Sequence, residues 1–250
     1  MLDHDRFILE CRAIAEKLSR EGLEVRRFQV PPETPFAVTL KGDNRCAIIG
    51  AADTAVELGH PITASFCLGL VTERKDLIAE GQVAVIGQEL EELLPGRHSF
   101  ALIVLAQVAN PGEAATRAVM TSIYSLDLLA GCMVRIASNR IWIRISQEAL
   151  DRRLTLKDMG AFLLSELKKH GFAAEIILLT GTTEQVSEIR SVAEEMAEER
   201  SIRYGEALVE KMACETGLDC DDCPETDTCR ILKNAVAVKK RKRGANQGNR

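Results

Sequence analysis

The stretch "RIWIRISQEALDRRLTLKDMGAFLLSELKKHGFAAEIILLT" (residues 140–180) changes its hydrophobic period twice. In residues 140–146 every second position is apolar, which predicts a strand with one buried face formed by Ile141, Ile143 and Ile145. Residues 155–171 follow a helical period, and the apolar run 173–180 predicts a second strand. This alternation of strand and helix predicts an α+β fold.

The ends of the predicted helix 155–171 carry their own signals. Thr155 and Asp158 have the spacing of a capping box, in which each side chain accepts a backbone N–H of the other residue. Lys168 and Lys169 stand in the last turn, where cations interact favourably with the helix dipole, and Gly171 follows as the stop.

Further elements are predicted on both sides of this stretch. The patterns predict helices over 3–21, 112–131 and 183–213 and strands over 23–30, 36–40, 46–51, 54–58, 63–72, 83–87 and 100–108. Many of these strands are too close in sequence to be joined by parallel crossovers, which need a dozen or more residues. We therefore expect a mixed β-sheet flanked by helices, in three layers.

Composition limits the class of protein. Net charge is −5, and eight lysines and arginines with no acidic residue stand in residues 230–250, so the rest of the chain is strongly acidic. An acidic body repels nucleic acid, and no apolar run reaches the ~18 residues of a membrane span. The charged N-terminus is unlike a secretory signal. We expect a cytoplasmic protein that binds neither nucleic acid nor membrane, with a disordered basic tail at 231–250.

Four of the eight cysteines lie close together in "CETGLDCDDCPETDTCR" (214–230). A Cys-x-x-Cys turn can direct two thiolates at one ion, and two flanking cysteines can complete a tetrahedral set; the four are Cys214, Cys220, Cys223 and Cys229. Reduced thiols are expected in the cytoplasm, which favours metal binding over disulfides. Zinc and a [4Fe–4S] cluster both accept four thiolates, and the spacing does not separate them. The remaining alternative is four unliganded surface thiols.

The second candidate site is the polar face of strand 140–146. Trp142, the only tryptophan, stands there between Arg140 and Arg144, with Arg135, Arg152 and Arg153 nearby in sequence. Arginines around an aromatic ring can bind the phosphates and the base of a nucleotide. The pattern by itself also fits an ordinary solvated strand. In the same way, His60 in "ELGHP" (57–61) fits a turn histidine better than a catalytic one.

Two segments resemble a known family. Residues 139–200, from "NRIWIRIS" to "VAEEMAEER", and residues 55–93, "AVELGHPITASFCLGLVTERKDLIAEGQVAVIGQELEEL", are similar to the middle domain of the acetyl-CoA synthase subunit. This is the beta subunit of the carbon monoxide dehydrogenase/acetyl-CoA synthase complex. The resemblance covers roughly residues 50 to 205, and it implies the fold, components of that complex as partners, and coenzyme A (CoA) as a ligand near Trp142, Arg140 and Arg144.

The sequence also departs from that family. The family's nickel-binding Cys-Gly-Cys tripeptide is absent here, and the four-cysteine segment stands where the large catalytic domain is expected. We expect a family-like domain over 1–213, a metal-binding segment over 214–230 and the tail. The expected function is a module in anaerobic CO, one-carbon or acetyl-CoA metabolism that binds an iron–sulfur cluster, with CoA as its candidate ligand, and is not an acetyl-CoA synthase by itself. The alternatives are a non-catalytic accessory or assembly protein that carries metal, and a redox enzyme that relays electrons to the Trp142 face.

Overall fold

The structure, a computed structural model, describes residues 4–31, 54–93, 95–137 and 139–214, with side chains as far as Arg203, and a few residues between 227 and 241. The chain divides into two compact units, which are described separately. The first takes in Met1 and Asp3–Ala193, and the second takes in Leu2 and Glu194–Arg250.

The strands of the first unit are short except for one. They are β1 (Val25–Gln29), β2 (Thr54–Leu58), β3 (Ser65–Thr72), β4 (Gln82–Ile86), β5 (Gly96–Gln107), β6 (Cys132–Ala137), β7 (Arg140–Ser146) and β8 (Ala173–Gly181). The helices are α1 (His4–Arg20), α2 (Glu113–Tyr124), α3 (Gln147–Asp151), α4 (Leu156–Lys169), α5 (Thr183–Ser187) and α6 (Arg190–Cys214), the last of which runs into the second unit. Single 3₁₀ turns occupy Lys75–Leu77, Leu90–Glu92 and Ser125–Leu128.

These strands form one mixed eight-stranded sheet in the order β1-β4-β8-β5-β2-β7-β6, with β3 also paired to β5. Three of the pairings are parallel, β2 with β5, β3 with β5, and β4 with β8, and the others are antiparallel. The twelve-residue β5 joins the two parts of the sheet: its first residues pair with β2, and the rest pairs with β3 and β8. The α+β class with a mixed sheet flanked by helices is therefore confirmed.

Helices pack on both faces of the sheet around β3. Helices α2 and α4 share one core with alternate residues of the strands, among them Cys67 and Val71 of β3. Leu68 and Leu70 of β3 are fully buried outside that core, as is Phe7 of α1, which packs against the same strand. Because successive strand residues point to opposite faces, α1 covers the second face and the unit has three layers.

Helix α4 is fixed to the sheet by its start and by a glycine. Thr155 and Asp158 form the predicted capping box, and the carboxylate of the buried Glu89 accepts a further hydrogen bond from the Leu156 N–H. At Gly160 a Cβ atom would lie 2.5 Å from Val83 Cγ1, so the helix approaches β4 more closely than any other residue type would allow.

The outer edge of β6 is occupied by side chains of this chain. The Val134 N–H donates to Asp127 Oδ1 at 2.9 Å, and the Tyr124 hydroxyl donates to the Ile136 carbonyl at 3.0 Å. Asp127 lies in the 3₁₀ turn after α2 and Tyr124 is the last residue of α2.

Three expectations for the elements are corrected. Helix 112–131 is shorter than predicted and gives way to a 3₁₀ turn at Ser125; strand β6 was not predicted at all. The predicted helix 183–213 is two helices that meet at residues 188–189. The predicted strands 36–40 and 46–51 lie outside the described residues.

In the second unit α6 carries the i,i+4 ion pair of Arg203 with Glu199, at 3.2 Å. No helix in the described part of the chain is both long enough and apolar enough to cross a bilayer.

Candidate functional site

Strand β7 places the predicted tryptophan and arginines on one face of the sheet. Ile141, Ile143 and Ile145 are buried in the core, which confirms the predicted register. Arg140, Trp142 and Arg144 therefore project from the opposite face, where Trp142 and Arg144 are half-buried and Arg140 is exposed.

Two residues that the sequence did not single out, Glu57 and Arg97, complete this face. In the strand register Glu57 of β2 lies directly between Arg97 of β5 and Arg144 of β7. Arg144 Nε donates to Glu57 Oε1 at 2.9 Å, and Arg97 Nε donates to Glu57 Oε2 at 3.1 Å. A buried carboxylate is strongly disfavoured unless it is paired, and here one guanidinium on each side pairs it. We call Glu57, His60, Arg97, Arg140, Trp142 and Arg144 the arginine–tryptophan face.

The indole of Trp142 is held by two neighbours. The Arg144 guanidinium carbon lies 4.4 Å from the centre of the ring, a cation–π contact. The His60 ring meets the indole edge to face, with 5.6 Å between the ring centres. The indole N–H is buried and has no hydrogen-bond acceptor among the described residues.

His60 reaches Trp142 because the chain turns sharply after β2. Gly59 has a φ of +71°, and a Cβ there would lie 2.3 Å from the Ile141 carbonyl, so only glycine fits. The Ile62 N–H donates to His60 Nδ1 at 3.3 Å, and His60 Nε2 lies 4.0 Å from Glu57 Oε2. The expected turn histidine is therefore also part of the arginine–tryptophan face.

The remaining arginines take different places. Arg140 Nη2 donates to the Thr63 carbonyl at 2.9 Å, at the rim of the face. Arg135 lies opposite Trp142 in the β6–β7 register and donates to the Val134 carbonyl. Arg152 pairs with Glu148 along α3, and its neighbour Arg153 has a left-handed backbone with a φ of 60°.

This arrangement is suited to binding rather than to proton transfer. Three arginines and one glutamate leave the face cationic, and the ring beside them offers an aromatic surface to a planar group. An isolated Glu in the alternating strand "TAVEL" is the signal that could have drawn attention to Glu57. Nothing local to the sequence indicates its partners, which lie 40 and 87 residues away.

The four clustered cysteines lie outside what the structure describes, apart from the backbone of Cys214 at the end of α6. The predicted metal site therefore stays a prediction. Elsewhere, among the described side chains, no group of three or more His, Cys, Asp or Glu could hold a metal ion.

A cleft of about 390 Å³ lies away from the arginine–tryptophan face. It is bounded by α4 and by the ends of β1 and β8, with Gln29, Leu164, Lys168 and Phe172 in its wall. None of the residues predicted as ligand contacts lines it.

The fold and this face define an α+β module with a cationic, aromatic surface on its sheet. A family model described as "CO dehydrogenase/acetyl-CoA synthase complex beta subunit" matches residues 37–185, which is more than half of the chain. The chain therefore belongs to this family, as the resemblance indicated.

Three relatives show the extent of the likeness. The chain is 26% identical over 188 residues to acetyl-CoA decarbonylase/synthase complex subunit beta 1 of Methanocaldococcus jannaschii, covering 72% of this chain and 24% of that protein. It is 31% identical over 110 residues to subunit beta 2 of the same organism, covering 43% of this chain and 23% of that protein. With subunit beta of Methanothermobacter thermautotrophicus it shares 27% identity over 195 residues, 76% of this chain and 42% of that protein. The chain thus spans less than half the length of each relative.

Proposed function

We propose that this chain is a binding module of CO, one-carbon or acetyl-CoA metabolism that receives CoA, or a related adenine nucleotide, at the arginine–tryptophan face. The observation that carries the proposal is the contact between Trp142 and Arg144, on a sheet that belongs to the beta-subunit family. A base can stack on the indole, and guanidinium groups bind phosphates through several N–H donors at once. Because these 250 residues contain no Cys-Gly-Cys, we assign the module a role in binding and none in acetyl-CoA synthesis by itself.

The geometry changes the roles that the sequence suggested for the arginines. Arg144 covers one face of the indole and pairs with Glu57, so a base has to use the remaining surface of Trp142. The more exposed arginines of the face, Arg97 and Arg140, are then the ones available to phosphates.

Trp142 fluorescence and calorimetry test the ligand directly, since this is the only tryptophan. CoA at millimolar concentration should change the emission and release heat. Stacking is worth ~1–3 kcal/mol, so W142A should weaken binding measured by calorimetry about tenfold or more. R27Q, which removes an exposed arginine from β1, is a control outside the face and should leave CoA binding unchanged. Flat fluorescence and no heat from the wild-type protein would refute CoA as the ligand.

We further propose that Cys214, Cys220, Cys223 and Cys229 together bind one [4Fe–4S] cluster, with zinc as the alternative. The support is the donor set: four thiolates within sixteen residues, including a Cys-x-x-Cys pair, have the number and type of ligands that either centre requires. When bound, a cluster would supply one-electron transfer, whereas zinc would supply structure alone.

Anaerobic reconstitution, followed by iron and zinc quantification and a visible spectrum, distinguishes the two centres. The wild-type protein should bind one cluster, and a C220S/C223S double variant should lose it. A C11S variant is the matched control, because Cys11 is buried in α1. Equal metal content in wild type and C220S/C223S would exclude the site.

The partners we propose are components of a carbon monoxide dehydrogenase/acetyl-CoA synthase complex. The support is that the relatives are named as subunits of acetyl-CoA decarbonylase/synthase complexes. Co-purification of the tagged chain with such components, under anaerobic conditions, tests this. Failure to bind any of them would remove the proposed partners.

A second candidate function is an accessory or assembly protein that carries metal without binding CoA. The observation in its favour is that Glu57 already pairs with two arginines of the face. CoA affinity separates the two candidates, since an assembly protein of this kind should bind metal and partner but leave the Trp142 signal unchanged.

A further inference from the structure

Glu57 occupies the centre of the arginine–tryptophan face. Its direct cross-strand neighbours are Arg97 on β5 and Arg144 on β7, so three side chains form one row across three adjacent strands. Side chains directly opposite each other in a sheet are close enough to interact strongly. The row therefore follows from the strand register and does not depend on a loop.

The two arginines bind Glu57 in the same way. Each donates through Nε, Arg144 to Oε1 and Arg97 to Oε2. A carboxylate fixed through both oxygens has a fixed plane, and a guanidinium that is bound through Nε has its own plane fixed in turn. One carboxylate thus orients both cations.

The two arginines differ in exposure. The side chain of Arg144 is 14% exposed and lies over the indole, whereas that of Arg97 is 50% exposed. Glu57 itself is 7% exposed. Arg144 is therefore positioned to hold the aromatic ring, and Arg97 is positioned to contact solvent and solutes.

The charges of the row do not cancel. Two guanidinium groups and one carboxylate leave a net positive charge, to which the exposed Arg140 adds. A cationic patch beside an aromatic ring raises the local concentration of anions.

We propose that Glu57 is a positioning residue: it holds Arg144 over the indole of Trp142 and holds the exposed Arg97 at the rim of the face, where Arg97 can contact an anionic ligand. The identity of that ligand as the phosphates of CoA rests on the function proposed above. The positioning itself can be measured without any nucleotide.

Quenching of Trp142 fluorescence by acrylamide tests whether Glu57 holds Arg144 over the indole. In E57Q the side chain carries no charge and keeps one acceptor oxygen for two arginine N–H donors, so its hold on Arg144 is weakened. The indole should then become about twofold more accessible to acrylamide, with emission shifted to the red. E57D should give a smaller change, and E91Q, which removes an exposed carboxylate, should give none.

A second variant keeps the test decisive if E57Q folds poorly. R144Q removes the guanidinium from the indole directly and should increase acrylamide quenching as much as E57Q does. The double variant E57Q/R144Q should show no further increase, because both changes remove the same contact. If acrylamide quenching is unchanged in both E57Q and R144Q, the proposal that Glu57 holds Arg144 over the indole is overturned.

Quenching by iodide, an anion, at constant ionic strength tests whether Arg97 attracts anions to the face. R97Q should reduce iodide quenching of Trp142 about twofold and leave acrylamide quenching unchanged, while R27Q should alter neither. Iodide quenching of R97Q equal to that of wild type would overturn the assignment of Arg97. If the quenching changes occur but CoA gives no signal, the positioning role of Glu57 stands and CoA fails as the ligand.

Discussion

Burial sets the chemistry of the isolated cysteines. Cys11 in α1 and Cys132 in β6 are buried, and desolvation of the thiolate raises the pKa of each thiol to about 12, with nearby Glu10 and Asp127 adding to the effect. From the ordinary value of 9.0, this shift lowers the thiolate fraction at pH 8 on the order of a thousandfold. These cysteines are inert structural residues, unlike thiols that act as ligands.

Cys11 and Cys132 should resist iodoacetamide at pH 8 in the native protein and react once urea unfolds it, as read by peptide mass spectrometry. Rapid native labelling of Cys132 would contradict this account.

The same shifts in the thiol pKa predict a pH dependence of stability. Above about pH 9 the unfolded state releases thiol protons that the folded state retains, so the free energy of unfolding should fall as the pH rises from 9 towards 12.

At the scale of elements, helix α4 depends on its close approach to the sheet. Gly160 stands against Val83 of β4 and Leu178 of β8, and the buried Glu89 helps to cap the first turn of the helix. The approach places the whole apolar side of α4 in the main core, including Met159, Leu163 and Leu167.

Replacing Gly160 by alanine should destabilise the protein although alanine is the better helix former. The added Cβ would lie 2.5 Å from Val83, and overpacking of this kind costs about 1–3 kcal/mol. The gain in helix propensity offsets about 1 kcal/mol of this. Urea unfolding should therefore show a net loss of up to about 2 kcal/mol. In G112A the new Cβ meets nothing within 4 Å, so this control should show only the modest cost of alanine at the N-cap of α2. A loss for G160A no larger than that for G112A would argue against the close contact.

The sequence predicted those elements whose signals are local. Strand 140–146 and the capping box of Thr155 and Asp158 appear as expected. The break at residues 188–189 has no such signal, because no glycine or proline interrupts the helix-forming residues there. Strand β6 follows Gly131, whose φ of +78° marks a turn that the sequence pattern did not reveal. The partners of Glu57 could not be predicted, because they depend on which strands are neighbours in the folded sheet.

On the scale of the whole first unit, long-range polar contacts fix α1 to the sheet. Arg12 pairs with Glu175 of β8, 163 residues later, and also donates to the Leu77 carbonyl at 2.8 Å. His4 and Asp5 at the start of the helix bond to the backbone of Val71 and the hydroxyl of Thr72. Helix α1 is thus part of the folding unit and not an appendage to it.

Replacing Arg12 by glutamine should lower the free energy of unfolding by about 3 kcal/mol, because it leaves the nearly inaccessible Glu175 without its cation. The matched control is R117Q, which breaks the exposed pair of Arg117 with Glu113 and should cost less than about 0.5 kcal/mol. Urea denaturation followed by circular dichroism measures both. A loss for R12Q no larger than that for R117Q would show that the buried pair contributes little.

The bonds along the outer edge of β6 have a consequence for how copies of this protein meet. A bare edge strand is a template on which a strand of another molecule can add, and stacked sheets of this kind lead to fibres. Here Asp127 already accepts the Val134 N–H, and Tyr124 already donates to the Ile136 carbonyl. A strand approaching from a second copy would have to break both bonds before forming its own. In the described part of the chain, two side chains from the end of α2 and the turn after it therefore hinder the addition of a strand from a second copy along β6.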